Sequence, residues 1–172
     1  MHTVLMVDDN MTNLVLVRHL VTRMEGCEAL SFTDPTAALA ALAVTDVDIV
    51  LVDYRMPEID GVEFIRRMRA MPRHEHVPIV MVTTVDEREV TIEALEAGAT
   101  DFLTKPLEPI EFKVRLRNLL ALRGAQKSLA ERAARLDAEV AEKTRDLIER
   151  EREIIWRLSK ATERRDTDTG DH

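Results

Sequence analysis

Cysteine is almost missing from these 172 residues: Cys27 is the only one, which excludes an internal disulfide and the usual multi-cysteine zinc sites. Beside Gly26 it reads as a small packing residue rather than a nucleophile. A basic excess is missing too, since 24 Lys and Arg stand against 32 Asp and Glu, for a formal net charge of −8. Such a chain has little attraction for a phosphate backbone, so no direct nucleic-acid role is expected. No apolar run approaches the ~20 residues that span a bilayer, and Met1 leads into a strand-like pattern without a basic leader. A cytoplasmic protein, neither exported nor membrane-inserted, is the expectation.

What is present is unevenly distributed. Residues 1–122 carry 12 basic and 20 acidic side chains, whereas residues 123–172 carry 12 of each, so the first segment holds the whole deficit. In the second segment 24 of 50 residues are charged, too many for a hydrophobic core of its own. A globular domain over 1–122 followed by an exposed helical segment is expected.

Residues 3–7, 49–52 and 79–82 are short, nearly uninterrupted apolar runs rich in Val, Ile, Leu and Met. Runs of this kind suit strands buried on both faces. Between them lie segments of helical periodicity near 11–24, 35–44, 61–70 and 87–97, the last closed by Gly98. Two weaker strands, near 28–32 and 101–103, complete the alternation. The pattern predicts an α/β fold with a doubly wound, five-stranded parallel sheet covered by helices on both faces.

A fifth helix is expected from Pro109, where the missing donor is harmless in the first turn, to about residue 165. Leu119, Leu122, Leu129, Ala133, Leu136 and Val140, then Leu147, Ile154, Leu158 and Ala161, follow a 3,4 spacing if a four-residue stutter is allowed near Lys143. Gln126 and Glu151 fall on this seam and weaken it. A helix this long is marginal alone in water, so a parallel coiled-coil homodimer is expected.

Ligands of open parallel sheets collect at the carboxyl ends of the strands. There the sequence ends the first strand in Asp8 and Asp9, the third in Asp53, the fourth in Thr83 and Thr84, and the fifth in Thr104, Lys105 and Pro106. Three carboxylates drawn together repel one another unless a cation joins them, and Mg²⁺ suits oxygen donors beside phosphate. Lys105, opposite the acids, suits a ligand that brings negative charge, such as a phosphoryl group. Each residue alone has a plainer reading as a helix cap, a turn residue or a surface charge. Their conjunction is the signal.

With LMVDDN at 5–10, VLVDYRMPEIDG at 50–61, MVTT at 81–84 and DFLTKP at 101–106, residues 1–122 resemble the receiver domain of bacterial response regulators. The resemblance implies the flavodoxin-like strand order 2-1-3-4-5. It implies that Asp53 is the phosphoacceptor and that Asp8 and Asp9 hold Mg²⁺, Asp9 directly, with the backbone carbonyl of Arg55 completing the metal site. It makes Thr83 the switch hydroxyl, Lys105 the phosphate-pairing lysine and Phe102 the aromatic that turns inward on activation. The expected partner is a sensor histidine kinase or phosphotransfer protein, and the activity is limited to self-phosphorylation and dephosphorylation. A cis Lys105–Pro106 bond is usual in the family. Thr84 departs from the family's small residue at that position.

The last residues hold Arg157, Ala161, Glu163, Arg165 and Asp166, then Thr169, Gly170 and His172. This is similar to the opening of HD-GYP domains, metal-dependent phosphodiesterases of cyclic di-GMP. The expected organisation is therefore a receiver over 1–122, a linker over 123–165 and the truncated start of an output domain over 166–172. Two competing readings are a stand-alone receiver whose helical tail docks on a protein partner, and a phosphoserine phosphatase-type hydrolase. The hydrolase normally has two Asp separated by one residue after the first strand, whereas Asp8 and Asp9 are adjacent.

Overall fold

The structure, a computed structural model, describes residues 1–84 and 88–168, with Arg88 and residues 164–168 described by their backbone only. Five strands, β1 (His2–Val7), β2 (Cys27–Phe32), β3 (Ile49–Asp53), β4 (Ile79–Thr83) and β5 (Asp101–Thr104), form one sheet in the order β2-β1-β3-β4-β5. Every neighbouring pair is parallel. Helices α1 (Met11–Thr22), α2 (Pro35–Val44), α3 (Gly61–Arg69) and α4 (Arg88–Ala97) alternate with the strands, and α5 (Pro109–Asp168) follows β5. The fold class and strand order are those expected.

The apolar runs are continuous because both faces of the sheet are covered. Leu5, Val7, Val50, Val52, Ile79 and Met81 point to one face and pack with Leu42 of α2 and Phe64, Ile65 and Met68 of α3. Their immediate neighbours Val4, Met6, Leu51, Val80 and Val82 point to the other, against Leu14, Val17 and Val21 of α1 and Phe112, Leu116 and Leu120 of α5. Each such side chain contributes roughly 1.5–3 kcal/mol through burial. The 4-residue spacing of Phe112, Leu116 and Leu120 fixes which stripe of α5 enters this core.

Local signals set the helix starts. Asn10, Asp34 and Asp60 accept from the backbone N–H of Thr12, Thr36 and Glu63, capping α1, α2 and α3, and Pro35 occupies the first turn of α2. A 3₁₀ turn at Pro72–His74 was not expected from the sequence. It is tied down by Arg69, whose guanidinium donates to the carbonyls of His74 (2.8 Å), Val77 (2.7 Å) and, from α4's end, Gly98 (2.8 and 3.0 Å). These partners lie up to 29 residues away, beyond the reach of local pattern reading.

The chain divides into two units, Met1–Ala125 and Gln126–His172. In the second, every side chain from Leu129 to Glu163 is exposed, including Leu129, Leu136, Val140, Leu147, Ile154, Trp156 and Leu158. Among the described residues no helix is long and apolar enough to cross a membrane.

Gly61 positions the site. A Cβ there would stand 2.7 Å from the carbonyl oxygen of Asp53 and 2.9 Å from the Cα of Tyr54, so only hydrogen lets α3 start this close to the end of β3. Gly61→Ala is therefore expected to destabilise the fold by about 1–3 kcal/mol in denaturant titrations. An unchanged midpoint would contradict the close approach.

Candidate functional site

The carboxyl ends of β1, β3 and β5 meet in one crevice. Asp53 is the last residue of β3 and is buried, as is Asp8, while Asp9 is exposed. Carboxylate oxygens of Asp8, Asp9 and Asp53 all lie within 4.8 Å of one another. Lys105, just past β5, donates from Nζ to Asp53 Oδ1 and lies 3.5 Å from Asp8 Oδ2. The Lys105–Pro106 bond is cis. One ammonium thus faces two carboxylates, with a third beside them.

This imbalance governs the protonation energetics. Burial raises the Asp53 carboxyl above its ordinary value; the Lys105 hydrogen bond opposes that, the Asp8 charge adds to it, and the Arg55 backbone N–H opposes it in turn, leaving a net rise. Burial pulls the Lys105 ammonium down, but hydrogen bonds and charges from Asp53 and Asp8 outweigh it and raise its pKa. Lys105 is thereby held cationic against an acidic cluster whose charge it offsets only in part.

The remaining expected residues fall around this centre. Thr83 ends β4 and is buried one strand from Asp53, with its Oγ1 3.5 Å from the Thr84 carbonyl. Phe102 lies on β5, half-buried against the core on the α3–α4 face. Arg55 is exposed, and with Asp9 and Asp60 it lines an open cleft. Thr84 and Thr104 are exposed. A second cavity, of about 220 Å³, extends from Asp8, Asp53 and Lys105 past Leu14, Val17 and Leu51 under α1.

Sequence reading missed Asn13. Its Nδ2 donates to Asp8 Oδ2 at 2.9 Å, while the Asn10 backbone N–H donates to Asp8 Oδ1 at 2.8 Å. Both Asp8 oxygens are thus held from the start of α1. The available signal was an amide in the first turn of a helix whose other inward residues are apolar, but its partner is visible only once α1 is packed.

Of the tail residues singled out, Glu163 is exposed at the end of the described side chains and Arg157 pairs with Glu153 within the helix. Arg165 and Asp166 are described by backbone alone, and Thr169, Gly170 and His172 lie outside the described residues.

Comparison with known proteins gives a consistent picture. The family described as response regulator receiver domain matches residues 4–117. The cyclic di-GMP phosphodiesterase response regulator RpfG of Xanthomonas campestris is 40% identical over 167 residues, covering 96% of this chain and 44% of RpfG. This chain therefore spans less than half the length of that relative. The crystallized chemotaxis protein CheY4 of Vibrio cholerae superposes with a TM-score of 0.65 at 31% identity, covering 69% of this chain and 98% of CheY4. The receiver domain of a sensor histidine kinase from Pseudomonas aeruginosa, solved with a magnesium ion coordinated in its active-site cleft, gives a TM-score of 0.64 at 26% identity, covering 70% of this chain and 98% of that one.

The raised Asp53 pKa has a definite sign in stability. The folded chain binds that proton more readily than the unfolded chain, so the group favours folding at acid pH and loses this contribution as pH rises through its folded value. At neutral pH the ionised carboxylate opposes the fold. Asp53→Asn is expected to raise the melting temperature at pH 7 in a chelator, by about 2–4 °C per kcal/mol relieved, and to flatten the pH dependence of stability between acid and neutral. Calorimetry checks this; a lower melting temperature contradicts it.

Proposed function

This chain belongs to the response regulator receiver family, the receiving component of two-component signalling, and from that premise we propose that Asp53 accepts a phosphoryl group from a phosphohistidine of a sensor histidine kinase or phosphotransfer protein. The observation that carries the proposal is the meeting of Asp53, Asp8, Asp9 and Lys105 within one crevice at the carboxyl end of the sheet.

The residues fit Mg²⁺. They supply only hard oxygen donors, within 4.8 Å of one another, and their negative charge exceeds what Lys105 offsets. Asp8 and Asp9 would hold the ion, Asp9 as a direct ligand, with Asp53 and the Arg55 backbone carbonyl completing the set. Bound there, a divalent ion supplies positive charge against the oxygens of the transferring group.

The chain's own residues perform the rest. An Asp53 carboxylate oxygen attacks phosphorus, the new O–P bond forms as the P–N bond to the donor histidine breaks, and the departing imidazole nitrogen keeps the electron pair. Lys105, already on Asp53, remains as a donor to a phosphoryl oxygen. Asn13 and the Asn10 N–H keep Asp8 from swinging away. Thr83 then turns its hydroxyl toward the new group, and Phe102 rotates into the space vacated. Phe102 lies on the α3–α4 face, and the change passes to α5 through its neighbour Asp101, which Arg115 of α5 holds.

Residues 123–165 serve as a helical linker, and residues 166–172 begin an output domain. The likeness to RpfG over 96% of this chain supports a cyclic di-GMP phosphodiesterase output, and the resemblance of the terminal residues to the opening of HD-GYP domains supports that type. The linker pairs with a second copy as a parallel coiled coil. Its 3,4 apolar spacing is exposed along its length. In a parallel, in-register pair Arg132 of one copy also faces Asp137 of the other.

Incubation with acetyl phosphate and Mg²⁺ tests the phosphoacceptor. Intact mass is expected to show one added phosphoryl group on the wild type and none on Asp53→Ala. Lys105→Ala is expected to slow the gain by about 10²-fold. Labelling that survives Asp53→Ala refutes the assignment.

A further inference from the structure

The linker carries two alternative seams, and they diverge at a defined residue. Leu122, Gln126, Leu129, Ala133, Leu136, Val140, Lys143 and Leu147 follow an unbroken alternation of 3 and 4. Continued unchanged, that alternation runs through Arg150, Ile154, Arg157 and Ala161. Continued with a four-residue stutter after Lys143, it runs through Glu151, Ile154, Leu158 and Ala161. Leu147, Ile154 and Ala161 belong to both. The layers between them are Arg150 and Arg157 in one seam, and Glu151 and Leu158 in the other.

Every one of these side chains is exposed in the structure; Lys143 and Arg157 make ion pairs with Glu139 and Glu153 one turn away on the same helix, and these pairs bury neither seam. Successive residues at 3.5 per turn are about 103° apart, which puts the two seams about 50° apart around the helix axis. The stuttered seam is the more apolar. It replaces two arginine layers by Leu158 and Glu151, brings Ile148 and Ile155 to its edge, and in a parallel pair sets Arg150 of one copy beside Glu151 of the other. The unbroken seam stacks Lys143, Arg150 and Arg157 in three layers at seven-residue intervals and leaves Ile148 and Ile155 in water. A partner helix matching both must share their spacing, and a second copy does so at every layer.

We infer that residues 147–161 form a two-register contact with a second copy of this chain, resting in the Glu151–Leu158 register and shifted to the Arg150–Arg157 register when Asp53 is phosphorylated. The shift is imposed through α5. Its first turns are fixed in the receiver core by Phe112 and Leu116 and by Arg115, which holds Asp101, beside Phe102, through two 2.9 Å hydrogen bonds. A small rotation there is carried along one helix to a segment that has only two ways to pack. The inference rests on the phosphoacceptor and dimer readings above, and its test separates them.

Single cysteines are introduced into the full chain in a Cys27→Ala background, as Leu136→Cys, Arg157→Cys and Leu158→Cys, and oxidised before and after acetyl phosphate treatment with phosphorylation read by mass. Leu136→Cys lies in both seams and is expected to crosslink in both states. Leu158→Cys is expected to crosslink at least about ten-fold faster than Arg157→Cys at rest, with the ratio inverted on phosphorylation. A ratio unchanged in chains that have gained the phosphoryl group, with Leu136→Cys still crosslinking, overturns the two-register inference alone. Loss of the Leu136→Cys crosslink overturns the dimer and the register shift together, and absence of the mass gain overturns the phosphoacceptor reading and with it the coupling.

Discussion

Three carboxylates held against one ammonium form the constraint on which the rest of this molecule depends. Asp8, Asp9 and Asp53 repel one another, Asp53 is buried, and Lys105 neutralises only part of the total. No residue set chosen for stability would be arranged so. The arrangement persists because the surrounding structure over-determines it: both Asp8 oxygens are bound from the start of α1, and Gly61 lets α3 begin against the Asp53 backbone. Excess negative charge in such a site suits a divalent cation, and the proposed phosphorylation of Asp53 would add charge at its centre.

The sheet is legible in the sequence because it is parallel. Strands buried on both faces read as continuous apolar runs, so β1, β3 and β4 stand out, and the polar residue that ends each run marks the ligand-binding edge. Asp8, Asp9 and Asp53 are identifiable from the amino-acid sequence for that reason, whereas Lys105 follows the weaker β5 and stands out through the DFLTKP stretch. The edges of the elements are legible to within a residue or two: Asp53, Thr83 and Thr104 end β3, β4 and β5 as expected, whereas Asp8 and Asp9 lie just past β1, Thr84 past β4 and Lys105 past β5, where the backbone pairing has stopped.

Residues whose work is done through tertiary hydrogen bonds are not legible at all. Asn13 looks like an ordinary polar residue near a helix start, and Arg69 looks like a solvent-facing cation on a charged helix. Their roles follow from where α1 and α4 pack, which no local pattern encodes. The tail shows the converse. Its helical character is plain from spacing, and α5 extends through it, but exposed apolar residues do not by themselves name what covers them. The spacing after Lys143 matters for the same reason: a single seam would specify one assembly, whereas two seams that share three of their five layers between Leu147 and Ala161 would make the proposed assembly responsive to rotation.

The central claim is that the Asp53 carboxylate becomes an acyl phosphate. Borohydride reduction of the acetyl phosphate-treated chain, followed by peptide mapping, tests it most directly, because the reagent converts an acyl phosphate to an alcohol and leaves a free carboxylate intact. The account predicts homoserine at position 53 and aspartate at positions 8 and 9. Homoserine at either of those positions, or none anywhere in a chain that has gained the phosphoryl mass, would contradict it.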